Sequence, residues 1–295
     1  MTRLVKRLVP GWVKKRLRER LSVETRSVLN ANSILGSLYT SPSYTRHGAW
    51  LTWDGQGTRR SEGGLPVPPH QFRMGHAADD QQYLLDGESG ANYIRGILER
   101  EGVSLTLGKS ILEWGCAGGR VLRHFVREAE RCDFWGVDQH GPSMSWCKEN
   151  LSPPFKFLTC TAFPYLPFKD DKFTLVYAES VFTHILHLMD MWLMEFCRIL
   201  APGGYALFTV HDEHTWQYLS EHEIQRRVVD AAGIEKFSGR LEHEIGFLQA
   251  GGNWDQVVSF LRTDWITREW GQYLDVVSFE PRSPSYQTTV VLRKP

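Results

Sequence analysis

No two of the five cysteines, Cys116, Cys132, Cys147, Cys160 and Cys197, form a C-x-x-C pair. That absence excludes a zinc ribbon and a disulfide framework, and it fits a reducing compartment. Neither sign of charge is in excess, since 34 basic residues face 34 acidic ones. A chain without a basic surplus has little with which to hold a phosphate backbone, so nucleic acid is not expected as a partner. There is no long apolar run either. The first residues alternate apolar and basic types, so neither a signal peptide nor a membrane span is expected, and a cytoplasmic location is. The dinucleotide fingerprint G-x-G-x-x-G is also missing, because Ala117 stands where its second glycine belongs. What is present is 42% apolar residues in a chain of 295, enough for a substantial core.

The most informative stretch runs Ile111-Leu112-Glu113-Trp114-Gly115-Cys116-Ala117-Gly118-Gly119-Arg120-Val121-Leu122. It reads as a buried strand that ends in a carboxylate, turns through glycines and enters a helix. Glycines suit such a turn because it needs unusual backbone angles and lets a ligand approach the main chain. After a helix over about 120–130, Phe134-Trp135-Gly136-Val137-Asp138 reads as a second strand ending in a carboxylate. Strand, helix, strand implies a parallel sheet with a right-handed crossover. A helix over 142–151, strands over 155–159 and 173–178, and a helix over 186–200 follow. That helix is expected to stop at Ala201-Pro202-Gly203-Gly204, and a fifth strand follows over 205–210. Strands over 276–280 and 287–292 close the chain.

Upstream, residues 1–22 pattern as a basic amphipathic helix interrupted at Pro10-Gly11. Two readings fit it: attachment to an anionic membrane surface, or packing on its own domain or a second subunit. An irregular segment rich in Ser, Gly and Pro fills 41–70. Helical spacing returns over 78–101, with a break expected around Gly87-Glu88-Ser89-Gly90 and with Tyr83 and Tyr93 each expected in the core, a ligand-facing position being the alternative. The chain thus divides into an N-terminal extension, 1–75, and a domain, 76–295, in which 211–262 is expected to be a rim insertion. That insertion is expected to hold a loop at His211-Asp212-Glu213-His214 and a helix near 221–230.

Five blocks in order resemble the class I S-adenosylmethionine-dependent methyltransferases of bacteria, of the kind that act on small molecules and glycans. They are Glu113 to Arg120, Gly136-Val137-Asp138, Leu166 to Phe173, Ser180-Val181-Phe182-Thr183-His184, and Arg198 to Gly204. The resemblance implies an α/β fold with a doubly wound, mostly parallel seven-stranded sheet, helices on both faces and an antiparallel last strand. It implies S-adenosyl-L-methionine as cofactor, held by Glu113, Gly115, Cys116, Ala117, Gly118 and Gly119 around its methionine part. Asp138 and Gln139 would take the ribose and adenine side, with Thr161 and Glu179 completing the set. The sequence departs from the family at two places. Gln139 stands where an apolar residue commonly covers adenine, and Cys160-Thr161-Ala162 stands where many relatives place an aspartate.

The expected reaction is methyl transfer to an oxygen of a small polar acceptor such as a sugar or glycosylated metabolite. Transfer from a sulfonium asks the protein mainly to align the acceptor and exclude water. For a hydroxyl acceptor a base helps, and His184, His211, His214 and Glu179 are the candidates because all follow strand ends. A nitrogen acceptor, or a non-catalytic cofactor-binding protein, is the alternative; a nicotinamide-dependent oxidoreductase fits the glycine spacing poorly. No resident metal is expected, although His211, Asp212 and His214 could hold one weakly.

Overall fold

The computed structural model describes residues 64–74, 76, 79–185, 188–221, 241–249, 257–281 and 286–295. The basic helix expected over 1–22, most of the 1–75 extension and the helix expected near 221–230 lie outside them, apart from Glu221 itself.

Helix α1 spans Asp80–Arg100 and leads to strand β1, Ser110–Trp114. A tight helical turn, Leu122–Phe125, runs into the short α2, Val126–Ala129, and then β2, Asp133–Asp138. Next come α3, Gly141–Leu151, β3, Lys156–Thr159, β4, Phe173–Ala178, and α4, Met189–Ile199. Strand β5, Leu200–Val210, precedes α5, Glu213–Glu221, and a two-stranded pair, β6, Ile245–Gln249, and β7, Val257–Leu261. Helix α6, Thr263–Glu269, then β8, Asp275–Glu280, and β9, Thr288–Arg293, complete the described chain.

Seven strands form one sheet in the order β3-β2-β1-β4-β5-β9-β8. Strands β1 to β5 pair in parallel, whereas β9 is antiparallel to both β5 and β8. Alternate residues of each central strand enter different cores, which is why these strands are apolar throughout. Ile111, Leu175 and Phe157 face one layer with Ile94 and Ile97 of α1, Phe125, and Met144 and Leu151 of α3. Leu112, Val176 and Leu158 face the other with Trp192 and Phe196 of α4 and with Ile266 and Trp270. The strand order reverses between β1 and β4, and the strand ends at Glu113, Asp138, Glu179 and His211 gather along the C-terminal edge of the parallel strands.

Three local expectations are corrected. Helix α1 is continuous through Gly87 and Gly90. Its glycines are there for approach, not for a break. A Cβ on Gly87 would lie 2.1 Å from the Arg120 carbonyl oxygen, and one on Gly90 would lie 2.7 Å from Glu179 Oε1. The Pro202-Gly203-Gly204 stretch does not separate α4 from the fifth strand. It lies inside β5 as an irregularity, where pairing with β4 jumps from Phe173–Leu200 to Leu175–Tyr205. The loop expected over 211–214 is already helical at Glu213, because Asp212 Oδ1 accepts from Thr215 N at 3.0 Å and caps α5.

Candidate functional site

The turn after β1 has three left-handed residues, Gly115 (φ 77°), Ala117 (φ 45°) and Gly119 (φ 72°). Ala117 therefore occupies a conformation for which glycine is the unstrained choice. Two carboxylates hold it there. Glu113 is buried at the end of β1, and its Oε2 accepts from the Leu122 N–H at 3.0 Å and the Tyr177 hydroxyl at 3.1 Å. Asp138, at the end of β2, accepts from the Ala117 N–H at 2.8 Å through Oδ2 and from the His140 N–H at 2.8 Å through Oδ1. It is not the cap of α3. His140 is, since its Nδ1 accepts from Ser143 N. Its two oxygens thus take different main-chain donors, and the Gln139 N–H also faces the carboxylate.

Burial raises both carboxylates. Desolvation, and then the nearby Glu179, push Glu113 up to about 8 against the pull of Arg120 and its hydrogen bonds. Asp138 is raised by burial and held down by the main-chain N–H groups that face it. Gln139 is half-buried beside it. Thr161, by contrast, spends its hydroxyl on its own turn, accepting from Phe163 N at 2.9 Å. Cys116 is fully covered, with Sγ 3.8 Å from Met144 Sδ.

An upstream strap crosses the same turn. Arg123, only 4% exposed, donates through Nη2 to the carbonyls of Leu65, at 3.1 Å, and Pro66. Arg73 donates through Nε to Pro68 O at 3.0 Å and pairs with Asp80. A Cβ on Gly118 would meet Phe72 O at 2.8 Å and Pro68 Cγ at 2.9 Å. This glycine thus admits the chain's own strap, and Phe72 continues to the His140 ring, 6.1 Å between centroids. The strap does not stand out in the sequence, because Arg123 meets it from more than fifty residues away.

Along the rim, Glu179 is half-buried and pairs with Arg120 Nη2 at 2.6 Å. His184 is half-buried in a short turn, Phe182–His184, after β4. His211 is enclosed: its ring stacks on Tyr286 at 5.6 Å and tilts against Phe260 at 5.3 Å. Burial, with a smaller push from His184, lowers its pKa to about 3. His214 is the second residue of α5 and is half-buried. His76, which the sequence reading passed over, is half-buried beneath the rim and lowered to about 4 by burial and by Arg120. The His211, Asp212 and His214 group does not converge on a cation: Asp212 is engaged as a cap, and among the described residues no cluster of His, Cys, Asp and Glu can hold a metal.

These groups predict a two-sided stability profile. The folded value of Glu113, about 8, lies above its usual 4.5, so the folded chain binds the extra proton and stability falls as pH rises through that window. His76 and His211 are lowered from 6.5 to about 4 and about 3, so stability is lost as pH falls through those values. Thermal melts from about pH 5 to 9 should show the alkaline decline disappear in Glu113→Gln, which keeps both acceptor contacts. An undiminished decline would mean that Glu113 is already ionised in the fold.

Comparison with known proteins bears on the same stretch. Residues 112–208 match the family model described as a methyltransferase domain. The chain is 30% identical over 176 residues to a fatty-acid O-methyltransferase of Mycolicibacterium smegmatis, covering 55% of this chain and 59% of that one. It is 30% identical over 146 residues to phthiotriol/phenolphthiotriol dimycocerosates methyltransferase 1 of Mycobacterium ulcerans, covering 44% and 52%. The matched region thus spans little more than half the length of these curated relatives. The PH0226 protein of Pyrococcus horikoshii shares the fold, with a TM-score of 0.52 at 16% identity over 74% of this chain and 93% of that one. Among the described residues no helix is long and apolar enough to cross a membrane.

Proposed function

We propose that this chain, a class I S-adenosylmethionine-dependent methyltransferase by its domain, moves the cofactor's methyl group to an oxygen of a small acceptor. The observation that carries the proposal is the pair of buried strand-end carboxylates flanking a left-handed turn. Glu113 braces the turn from below, and Asp138 presents two carboxylate oxygens beside it, acceptors of the kind a vicinal diol needs. Asp138 would hold the ribose hydroxyls, and Gly115 to Gly119 would lie along the methionine part. When bound, S-adenosylmethionine supplies an electrophilic methyl on a positively charged sulfur. The chain's own residues do the rest. The strap through Pro68 and Phe72 excludes water from the turn, and the Arg120–Glu179 pair borders the acceptor side.

For a hydroxyl acceptor, the chain's part would be to take up the acceptor's proton at a base. Of the four candidates, His184 suits that role best. His211 is walled in and resists protonation, Glu179 is paired with Arg120, and His214 stands on α5 beyond the cap. The name of one curated relative, a fatty-acid O-methyltransferase, favours an oxygen on a lipid-like molecule. A hydroxylated ring is the second reading, supported by the aromatic faces of Trp216, Tyr218 and Tyr286 near His211. The reading of residues 76–295 as the catalytic unit belongs to this proposal.

The test has two stages. Titration calorimetry with S-adenosylhomocysteine should show binding, and a nicotinamide dinucleotide should not bind. The protein is then incubated with methyl-labelled cofactor and a panel of fatty acids, long-chain alcohols, sugars and amines, with products read by mass spectrometry. An oxygen-linked label supports the proposal, and a label on nitrogen overturns it.

A further inference from the structure

The end of β4 carries a strained residue that the reaction outlined above does not use. Ser180 directly follows Glu179 and has φ 56°, a left-handed conformation that a residue with a Cβ enters only when its surroundings impose it. The surroundings here are specific. The Ser180 N–H donates to Thr209 Oγ1 at 2.7 Å, which anchors it to β5. Its hydroxyl donates to Gln287 Oε1 at 3.0 Å. Gln287 is 5% exposed and arrives just ahead of β9, 107 residues further along the chain. Its amide nitrogen lies 3.3 Å from His211 Nε2, and His211 is clamped by Tyr286 and Phe260. One hydrogen-bonded chain, Ser180–Gln287–His211, therefore ties together the ends of β4 and β5 and the start of β9.

What this chain immobilises is the short segment that carries both candidate groups. Glu179 precedes Ser180 and reaches back to Arg120 on the glycine turn. His184 follows in a turn whose Phe182 carbonyl accepts from Ser259 Oγ at 2.8 Å. With the segment pinned at Phe182 and at Ser180, its path between the two is fixed. Release of Ser180 would let the backbone relax to an extended conformation and rotate Glu179 and His184 relative to each other.

We propose that Ser180 and Gln287 are positioning residues for the acceptor side, holding the end of β4 in a left-handed kink so that Glu179 and His184 face one opening. This deepens the methyltransferase reading but is tested without an acceptor. The full-length protein is labelled with ¹³C and ¹⁵N histidine, and the ring signals of His184 and His211 are assigned through His184→Gln and His211→Gln. Gln287→Met and Ser180→Ala should each move the His211 and His184 ring signals while S-adenosylhomocysteine affinity stays within about twofold, because Glu113 and Asp138 brace the cofactor side independently. Thr215→Ala, which removes a buried hydroxyl bonded to the Tyr286 carbonyl outside this chain, should leave His184 in place. Ser180→Gly, which tolerates the left-handed backbone but lacks the hydroxyl, serves if Ser180→Ala fails to fold. An unmoved His184 signal in the Gln287 and Ser180 variants overturns the proposal. So does an equal movement in Thr215→Ala, or a tenfold loss of S-adenosylhomocysteine affinity. If the unmodified protein does not bind S-adenosylhomocysteine, the methyltransferase reading falls while the ring signals still decide the positioning claim.

Discussion

Asp138→Ala should bind S-adenosylhomocysteine at least ~100-fold more weakly than the unmodified protein. Two hydroxyl contacts to a carboxylate are worth about 1.5–3 kcal/mol each, and each 1.4 kcal/mol is tenfold in affinity. The substitution does more than remove those contacts. Ala117 N–H and His140 N–H both lose their acceptor, so the left-handed Ala117 and the start of α3 are loosened at once. Asp138→Asn separates the two effects. It keeps an acceptor oxygen for one main-chain N–H but offers only one oxygen to a diol, so it should bind with intermediate affinity and melt closer to the unmodified protein. Calorimetry and thermal melts on both variants decide the matter. If Asp138→Ala bound as tightly as the parent, the ribose would have to be held elsewhere.

Gly87→Ala should destabilise the protein by about 2–3 kcal/mol and lower its melting temperature by roughly 5–10 °C, the size of effect expected from overpacking a closed contact. The sign is opposite to helix propensity, under which replacing a helical glycine by alanine gains up to about 1 kcal/mol. The reason is the 2.1 Å separation between a new Cβ and the Arg120 carbonyl oxygen. Backbone cannot step aside as a side-chain tip can, so α1 has to lift from the glycine turn and carry Tyr83 and the strap's Arg73 contact with it. Gly96, on the same helix, is the control. Its nearest atom would be Arg100 Nη1 at 3.9 Å, so Gly96→Ala should be stabilising. Equal melting temperatures for the two variants would show that α1 does not sit against the turn.

A lifted α1 would also disturb the rim, because Gly90 lies over the carboxylate of Glu179. Arg120 leaves the glycine turn to meet Glu179, and α1 covers both, so the three elements touch there.

The sequence by itself determined the seven strands of the main sheet in chain order and the positions of Glu113 and Asp138, but not the β6–β7 pair or the start of α5. Those signals are local. A buried parallel strand is a short apolar run, and a strand-end carboxylate followed by glycines needs no distant residue to be recognised. Residues 111–113 of β1 and all of β4 were legible for that reason, as was the antiparallel closing strand. Only the tertiary structure decided what the glycines and polar side chains are for. Gly87 and Gly90 look like helix breakers in one dimension, and they become contact points only when the Arg120 carbonyl and Glu179 are brought against them. Pro202-Gly203-Gly204 reads as a stop, but pairing with β4 and β9 on either side draws it into a strand. Asp212 and His211 are neighbours that look equally available for chemistry. One became a helix cap and the other an enclosed ring, because burial and hydrogen-bond satisfaction depend on what packs around a residue and not on its neighbours in the chain. Gln287 carried no signal at all, since its partners Ser180 and His211 lie far away in sequence and meet it only when β9 inserts beside β5.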